Sequence, residues 1–241
     1  MIESTRAIVI HQIKYSDSGI VVQFFTRKFG RISCLIRGMR NRKSGKHNVL
    51  FQPMSILDLS IYHKPSREIQ MIKDFSVSYS PADFYSNIRK CPVAIFLAEV
   101  LTSVLREECP NESLFSYIED SIIFYDNCRE GYANFHLAFM AYLSGYLGFE
   151  PVIGSFCGRK YFDMLNGRFV QFPPEHLNYA NTEISEILAF LLSTSFQNSN
   201  KISLTGSLRN EVLDTLVKYF SLHLPGLKKI NSLEILREVF T

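Results

Sequence analysis

The chain has 241 residues, 46% hydrophobic and 20% charged, which is the balance of a folded globular protein and excludes a disordered one. No stretch approaches the ~18–20 uninterrupted apolar residues that a membrane-spanning helix needs. The formal net charge is only +3, so the distribution of charge says more than its total.

Residues 1–80 carry 13 Lys and Arg against 5 Asp and Glu, and the rest of the chain carries 13 against 18. From Ser18 to Leu57 there is no acidic residue, yet this span holds Arg27, Lys28, Arg31, Arg37, Arg40, Arg42, Lys43 and Lys46. Each cation can neutralise a phosphate and release condensed counterions, which makes these the candidate nucleic-acid-binding residues. Arg predominates, and its planar fork suits phosphate and base stacking better than an ammonium does. A solvated charged face, an anionic partner protein or a membrane surface are the alternatives. The first residues place Glu3 and Arg6 before a short apolar run, unlike a secretory signal. The expected location is therefore cytoplasmic, and with nucleic acid as ligand nucleoid-associated.

In chain order, Arg6–Ile13 (RAIVIHQI) is apolar and β-branched and predicts a strand, followed by turn chemistry at Ser16–Gly19. Ile20–Thr26 predicts a second strand, with a turn at Lys28 to Gly30. Arg31–Arg37 alternates, which sends Ile32, Cys34 and Ile36 into a core and Arg31, Ser33 and Arg37 outward. Leu35 interrupts the polarity of that outer face and either packs or meets a ligand. Gly38–Asn48 (GMRNRKSGKHN) has the composition of a mobile basic loop. Ser55–His63 and Glu68–Ser78 complete a set of about five strands around the turn Lys64–Arg67. Five short strands in some eighty residues predict an OB-fold β-barrel over 1–80, a fold that commonly binds single strands.

From Pro81 the pattern turns helical. Helices are expected at Ala82–Ile88, Pro92–Glu107, Ser113–Cys128, Tyr132–Leu147, Thr182–Thr194, Ser207–His223 with Ser207 as N-cap, and Ser232–Phe240. These segments are apolar around most of their circumference and predict a bundle core. Within Gly154–Pro174, Lys160–Asp163 and Arg168–Phe172 flank Asn166-Gly167, a strong hairpin signal. The fold class that results is α+β and multidomain: a five-stranded OB-fold barrel, then an α-helical domain over 81–241 with a small β-hairpin insertion at 154–174.

Chemistry-bearing motifs are missing from the sequence. Six residues separate Gly38 from Gly45, and His47 follows Lys46, so the G-x-x-x-x-G-K-[ST] phosphate loop is excluded. There is no G-x-S-x-G elbow, no dinucleotide fingerprint and no H-x-x-x-H pair. Cys34, Cys91, Cys109, Cys128 and Cys157 are scattered without C-x-x-C spacing. No catalytic residue, metal ligand or cofactor is therefore predicted, and the chain is read as a non-enzyme.

Several segments together are similar to one known family. The two first strands with Thr26 and Gly30, the next strand, and Gly38 to Ser44 (GMRNRKS) leading into Leu50 to Pro53 (LFQP) resemble the amino-terminal domain of RecO proteins. Tyr219 to Gly226 (YFSLHLPG), followed by Lys228, Lys229, Ser232 and Leu233, resembles that family's closing helix and tail. Many RecO proteins carry four cysteines as two C-x-x-C pairs that form a zinc module. Here Cys157 stands alone in FCG. The resemblance thus implies a variant without the metal, its hairpin held by packing.

The resemblance also implies a bacterial mediator of recombinational DNA repair. Such a protein binds single- and double-stranded DNA, anneals complementary strands and engages the acidic tail of single-strand-binding protein. With RecR it helps load the recombinase RecA onto coated strands. On this reading the basic barrel holds phosphates while the Gly38–Asn48 loop screens a second strand, and Phe24, Phe25 or Phe29 are candidates to stack on bases. The tail of single-strand-binding protein is expected in the helical domain, with Lys228 and Lys229 as guesses for its contacts. An RNA-binding module, or another module for an anionic partner, would use the same basic barrel.

Overall fold

The β-branched runs of the first eighty residues form five strands in the computed structural model, which describes residues 1–16, 19–37, 50–105, 109–154 and 160–239. They are β1 (Ile2–Ser16), β2 (Gly19–Thr26), β3 (Gly30–Arg37), β4 (Ile56–Tyr62) and β5 (Ile69–Tyr79). The sheet closes in the order β1-β2-β3-β5-β4, with β4 returning to β1. Every pairing is antiparallel except β3 with β5, which gives the OB-fold order. The period of two sends Val22, Phe24, Ile32, Cys34, Leu57, Leu59 and Ile61 inward, and Ile36 packs partly buried on the same core, as the alternation predicts.

β1 starts earlier than its apolar run and is buried on both sides. Ala7 to Ile10 are at most 1% exposed. Ala7 and Val9 belong to the barrel core, and a bulge between Val9 and His11 disturbs the register against β2. The outer side is covered by helices. α1 (Ala82–Ser86), α2 (Cys91–Val104) and α3 (Glu112–Asn127) follow the barrel. α2 packs on β1, where the Thr102 hydroxyl donates to the Ile10 carbonyl at 3.2 Å. On β2, Phe25 faces outward and meets Phe115 of α3, ring centroids 5.9 Å apart. Gly30 opens β3 with φ +66°, and a Cβ there would stand 2.4 Å from the Cys109 carbonyl oxygen, so only glycine fits.

Strand pattern gives way to helix between Tyr79 and Ala82, whereas the compact units divide later, into Met1–Asp126 and Asn127–Thr241. Within the first unit, the Asp126 carboxylate accepts from the Asp83 and Phe84 amides at the start of α1 and from the Tyr79 hydroxyl at 2.7 Å. Lys90, 1% exposed, pairs with Asp83 at 2.5 Å and donates to the Asp126 carbonyl at 2.9 Å.

The second unit contains α4 (Phe135–Tyr146), α5 (Thr182–Ser193), a 3₁₀ turn (Phe196–Lys201), α6 (Gly206–His223) and α7 (Leu233–Val239). α4 is buried continuously from Phe135 to Ala141, with α5 and α6 packed on it. Asn134 ties three segments: its amide donates to the Ser199 and Ile202 carbonyls and its oxygen accepts from Arg209 Nε at 3.0 Å. α6 is capped two residues earlier than expected, because the Thr205 side chain, not Ser207, accepts from the Leu208 amide.

The predicted hairpin forms as β6 (Tyr161–Asp163) and β7 (Arg168–Val170), and gains a third strand, β8 (Tyr179–Ala180), on the free side of β6. Two residues are too few to show alternation, so β8 left no trace in the pattern. Phe162 and Phe169 pack at 5.0 Å and Phe162 meets Tyr219 of α6 at 5.1 Å. The Asp163 carboxylate accepts from the Leu165 and Asn166 amides and the Asn166 side chain. Burial raises its pKa, but these bonds and the charge of His176 outweigh it and hold the carboxyl below its usual range. Cys157 lies outside the described residues.

Candidate nucleic-acid interface

Of the eight candidate cations, the four that lie on described residues are divided between the two ends of β3. β3 is eight residues long, so at ~3.3 Å per residue its ends lie roughly 23 Å apart. Arg27, Lys28 and Arg31 belong to the end with the β2–β3 turn, while Arg37 closes the far end, opposite Gly19. Arg40, Arg42, Lys43 and Lys46, with the whole Gly38–Asn48 loop, lie outside the described residues.

At the near end the cations are engaged within the chain. Arg27 Nη2 lies 2.9 Å from Glu119 of α3, which Arg6 Nε approaches at 2.6 Å from its other oxygen. The Arg27 guanidinium also lies over the Phe115 ring at 5.0 Å. Lys28 pairs with Glu3 at 2.5 Å, and that bond, followed by the Lys28 charge, lowers the Glu3 pKa. Arg31 donates to the Thr102 and Leu105 carbonyls, at 3.2 and 2.8 Å, and to the Gln23 side chain at 2.9 Å. A cation at a helix C-terminus satisfies orphan carbonyls and the dipole. Glu119 and α2 come from sequence far beyond the acid-free stretch, and for that reason linear charge counting overstated the positive field at this end.

The three phenylalanines named for base stacking are otherwise occupied. Phe24 is fully buried in the barrel and Phe25 is 3% exposed against α3. Phe29 packs partly buried on the core and stacks on His63 at 4.1 Å.

What the barrel does expose is a row that crosses four strands. The registers align Ile13 of β1 with Val21, Val21 with Leu35, and Leu35 with Met71 of β5. All four face outward. Ile13 is 48% and Met71 41% exposed, with Leu35 half-buried between them and Val21 buried at the base. The adjacent row runs His11, Gln23, Ser33, Ile69, and its His11 has a lowered pKa, from burial first and then from Arg31. Exposed Tyr15 and Lys14 end β1 beside this face, and Lys73, two residues beyond Met71, carries a further exposed cation.

An apolar strip with an aromatic and flanking cations can meet unstacked bases and phosphates together. The sequence reading noticed Leu35 but missed Ile13, Tyr15, Met71 and Lys73. Only the strand registers bring them together, although the outward parity of Ile69 and Met71 was open to the same period-two argument. Among the described residues, no helix is long and apolar enough to cross a membrane, and no group of three or more His, Cys, Asp or Glu could hold a metal ion.

Comparison with known proteins is consistent along the whole chain. Residues 1–81 match the family described as Recombination protein O N terminal, and residues 85–234 match Recombination protein O C terminal. The chain is 35% identical over 240 residues to a DNA repair protein RecO of Azobacteroides pseudotrichonymphae, covering all of both chains. It is 33% identical over 245 residues to that of Bacteroides fragilis, again over both full lengths. With the protein of that name from Flavobacterium psychrophilum the identity is 33% over 239 residues and 98% of each chain.

Proposed function

The chain belongs to the RecO family of DNA repair and recombination proteins, and on that premise we propose that it is a DNA-binding mediator that anneals single strands and helps load a recombinase. The observation that carries the reading is the outward row Ile13–Val21–Leu35–Met71 on an OB-fold barrel, bordered by Tyr15, Lys14 and Lys73. Apolar and aromatic side chains reach base faces only where bases are unstacked, so this face favours single strands. Arg37 and the cations of Gly38–Asn48, at the end of β3, supply phosphate contacts and screen the charge of a second strand. Two polyanions can then approach closely enough to pair, with no nucleotide hydrolysed.

In this role the chain acts on DNA coated by single-strand-binding protein, recognises that protein's tail, works with RecR, and reaches the recombinase RecA indirectly. The test is annealing of complementary strands coated with the cognate single-strand-binding protein, with and without the chain and without nucleotide. Faster annealing is expected, with the effect declining as salt rises. Equal rates in its presence and absence overturn the mediator reading. A matched RNA competitor that displaces DNA at equal concentration points instead to RNA as the ligand.

A further inference from the structure

We infer that the outer face of the sheet β7-β6-β8 is a second contact for single-stranded DNA, separate from the barrel, with Arg168 and Lys160 on phosphates and Tyr161 and Tyr179 on bases. The inference rests on the DNA-binding reading above and gives the second unit a DNA strand of its own to hold.

The register fixes which side chains share that face. Tyr161 stands opposite Val170, and Asp163 stands opposite Arg168 on one side and Tyr179 on the other. Residues directly opposite lie on one side of a sheet, as do residues two apart along a strand. Tyr161, Asp163, Arg168, Val170 and Tyr179 therefore form one face, and Phe162, Phe169 and Ala180 the other. The second set is buried, with Phe162 against Tyr219 of α6. The first set is not, Asp163 excepted.

Arg168 has a carboxylate directly across from it and leaves it unused, although opposite charges so placed on a sheet normally pair. The Asp163 carboxylate is turned into the β6–β7 turn. There it accepts from the Leu165 and Asn166 amides at 3.0 and 3.1 Å and from the Asn166 side chain at 2.7 Å, while His176 Nε2 lies 3.2 Å away. Both oxygens are thus taken. Arg168 is exposed and, among the described residues, paired with no carboxylate. Lys160 extends the ladder through its amide, which donates to the Val170 carbonyl at 2.9 Å, and its ammonium is exposed and unpaired in the same way. A third cation, Lys218 of α6, donates to the Leu177 carbonyl at 3.4 Å. Besides Asp163, the one carboxylate between Lys160 and Ala180 is Glu175, so the potential on this face favours an anion.

The aromatic pair suits the other half of a nucleotide. Tyr161 and Tyr179 meet edge to face, with centroids 5.9 Å apart and planes at 80°. Both are half-buried, and neither hydroxyl has a hydrogen-bond partner among the described residues. Phe172, just beyond β7, is 71% exposed. Rings on a small sheet flanked by cations stack unpaired bases while the cations track the backbone, and a duplex hides its base faces. A protein that anneals can then hold one strand on the barrel and its complement on the sheet.

The test counts sites on the full-length chain with an oligothymidylate of roughly 4 nucleotides, the low end of what one OB-fold occupies. At low salt the native chain should bind two oligomers. The double variant Lys160→Gln, Arg168→Gln should bind one and melt as the native chain does, since both side chains are exposed. Two phosphate contacts give the sheet site a salt slope of about 1.4, so a fourfold rise in salt should cost it about sevenfold in affinity. Tyr161→Leu keeps the apolar bulk without the ring and should weaken the same site at least about fivefold, the low end for one stacked base. Two oligomers still bound by the double variant overturn the site; if annealing of protein-coated strands is then the only step lost, the face belongs to a protein instead. A single oligomer on the native chain, weakened by Tyr15→Ala, leaves the barrel reading standing and overturns the sheet site. If the native chain binds no oligomer, the DNA-binding reading itself fails and takes this inference with it.

Discussion

Replacing Glu119 by glutamine separates the structural from the nucleic-acid role of the β2–β3 turn. Glu119 is 7% exposed and receives Arg6 on one oxygen and Arg27 on the other. Deleting one partner of a fully buried ion pair costs about 3–5 kcal/mol, because the remaining charge is stranded. Here both arginine side chains keep over a third of their surface, 37% and 39%. Solvent therefore screens them, and a surface pair contributes only about 0–1 kcal/mol. The expected cost lies between, about 2 kcal/mol, or roughly 6–10 °C in the melting of a unit of this size. Thermal and urea unfolding of the full chain measure it. The variant also raises the charge of the first unit by one and releases Arg27. If Arg27 serves the fold, the salt dependence of DNA affinity stays native. Unchanged melting together with a steeper salt dependence would refute the assignment, because it would mean that Glu119 holds nothing and that Arg27 reaches phosphate.

Tyr15→Ala removes the 64% exposed ring at the end of β1 and should reduce single-strand affinity by roughly 5- to 100-fold in fluorescence anisotropy, the energy of one stacked base; a native constant removes Tyr15 from the interface. Gly30→Ala forces a Cβ against the Cys109 backbone at positive φ and should lower the urea midpoint by an amount equivalent to about 2–4 kcal/mol, with the m-value unchanged. His136 is fully buried in α4, and burial first, then the charge of Arg209, push its pKa down to about 3. The unfolded chain takes up that proton near pH 6.5 and the native one only near 3, so stability is complete above about 6.5 and falls below it by roughly 1.4 kcal/mol per pH unit. His136→Leu should flatten that slope by one proton in urea titrations between pH 7.5 and 4.5, and an unaltered slope would mean the native imidazole is already charged. Charge reversal at Arg40, Arg42 and Lys43 together should greatly weaken DNA binding without lowering the melting temperature; unchanged affinity at two salt concentrations removes that loop from the mechanism.

The barrel was legible because local pattern and tertiary role agree: the alternation of Ile32, Cys34 and Ile36 is the same fact as their burial. The hairpin was legible from Asn166-Gly167, since Gly167 takes the positive φ that such a turn requires. The interface was only half legible. Arg27 and Arg31 read as free cations because their partners, Glu119 and the end of α2, lie some seventy to ninety residues away. Conversely, Ile13 and Met71 read as ordinary strand residues, and only the register across β1, β2, β3 and β5 sets them side by side. Phe24 and Phe25, adjacent in sequence, face opposite ways and are both covered, one by the barrel core and one by α3. An aromatic pair in a strand therefore carries no information about ligands until both faces of its sheet are accounted for.

The double-sided burial of β1 bears on how the protein can be dissected. Ile8, Ile10 and Phe25 turn their backs on the barrel interior and are covered on that side by the helical segments of the first unit. A fragment ending at residue 80 would leave this greasy flank bare, inviting self-association that could be mistaken for oligomerisation or for tight, unspecific adhesion to DNA. A fragment carried through Asp126 keeps the flank lined and retains the Asp126 clasp on Tyr79. That longer piece is the smallest one on which isolated binding measurements would report the barrel's own surface.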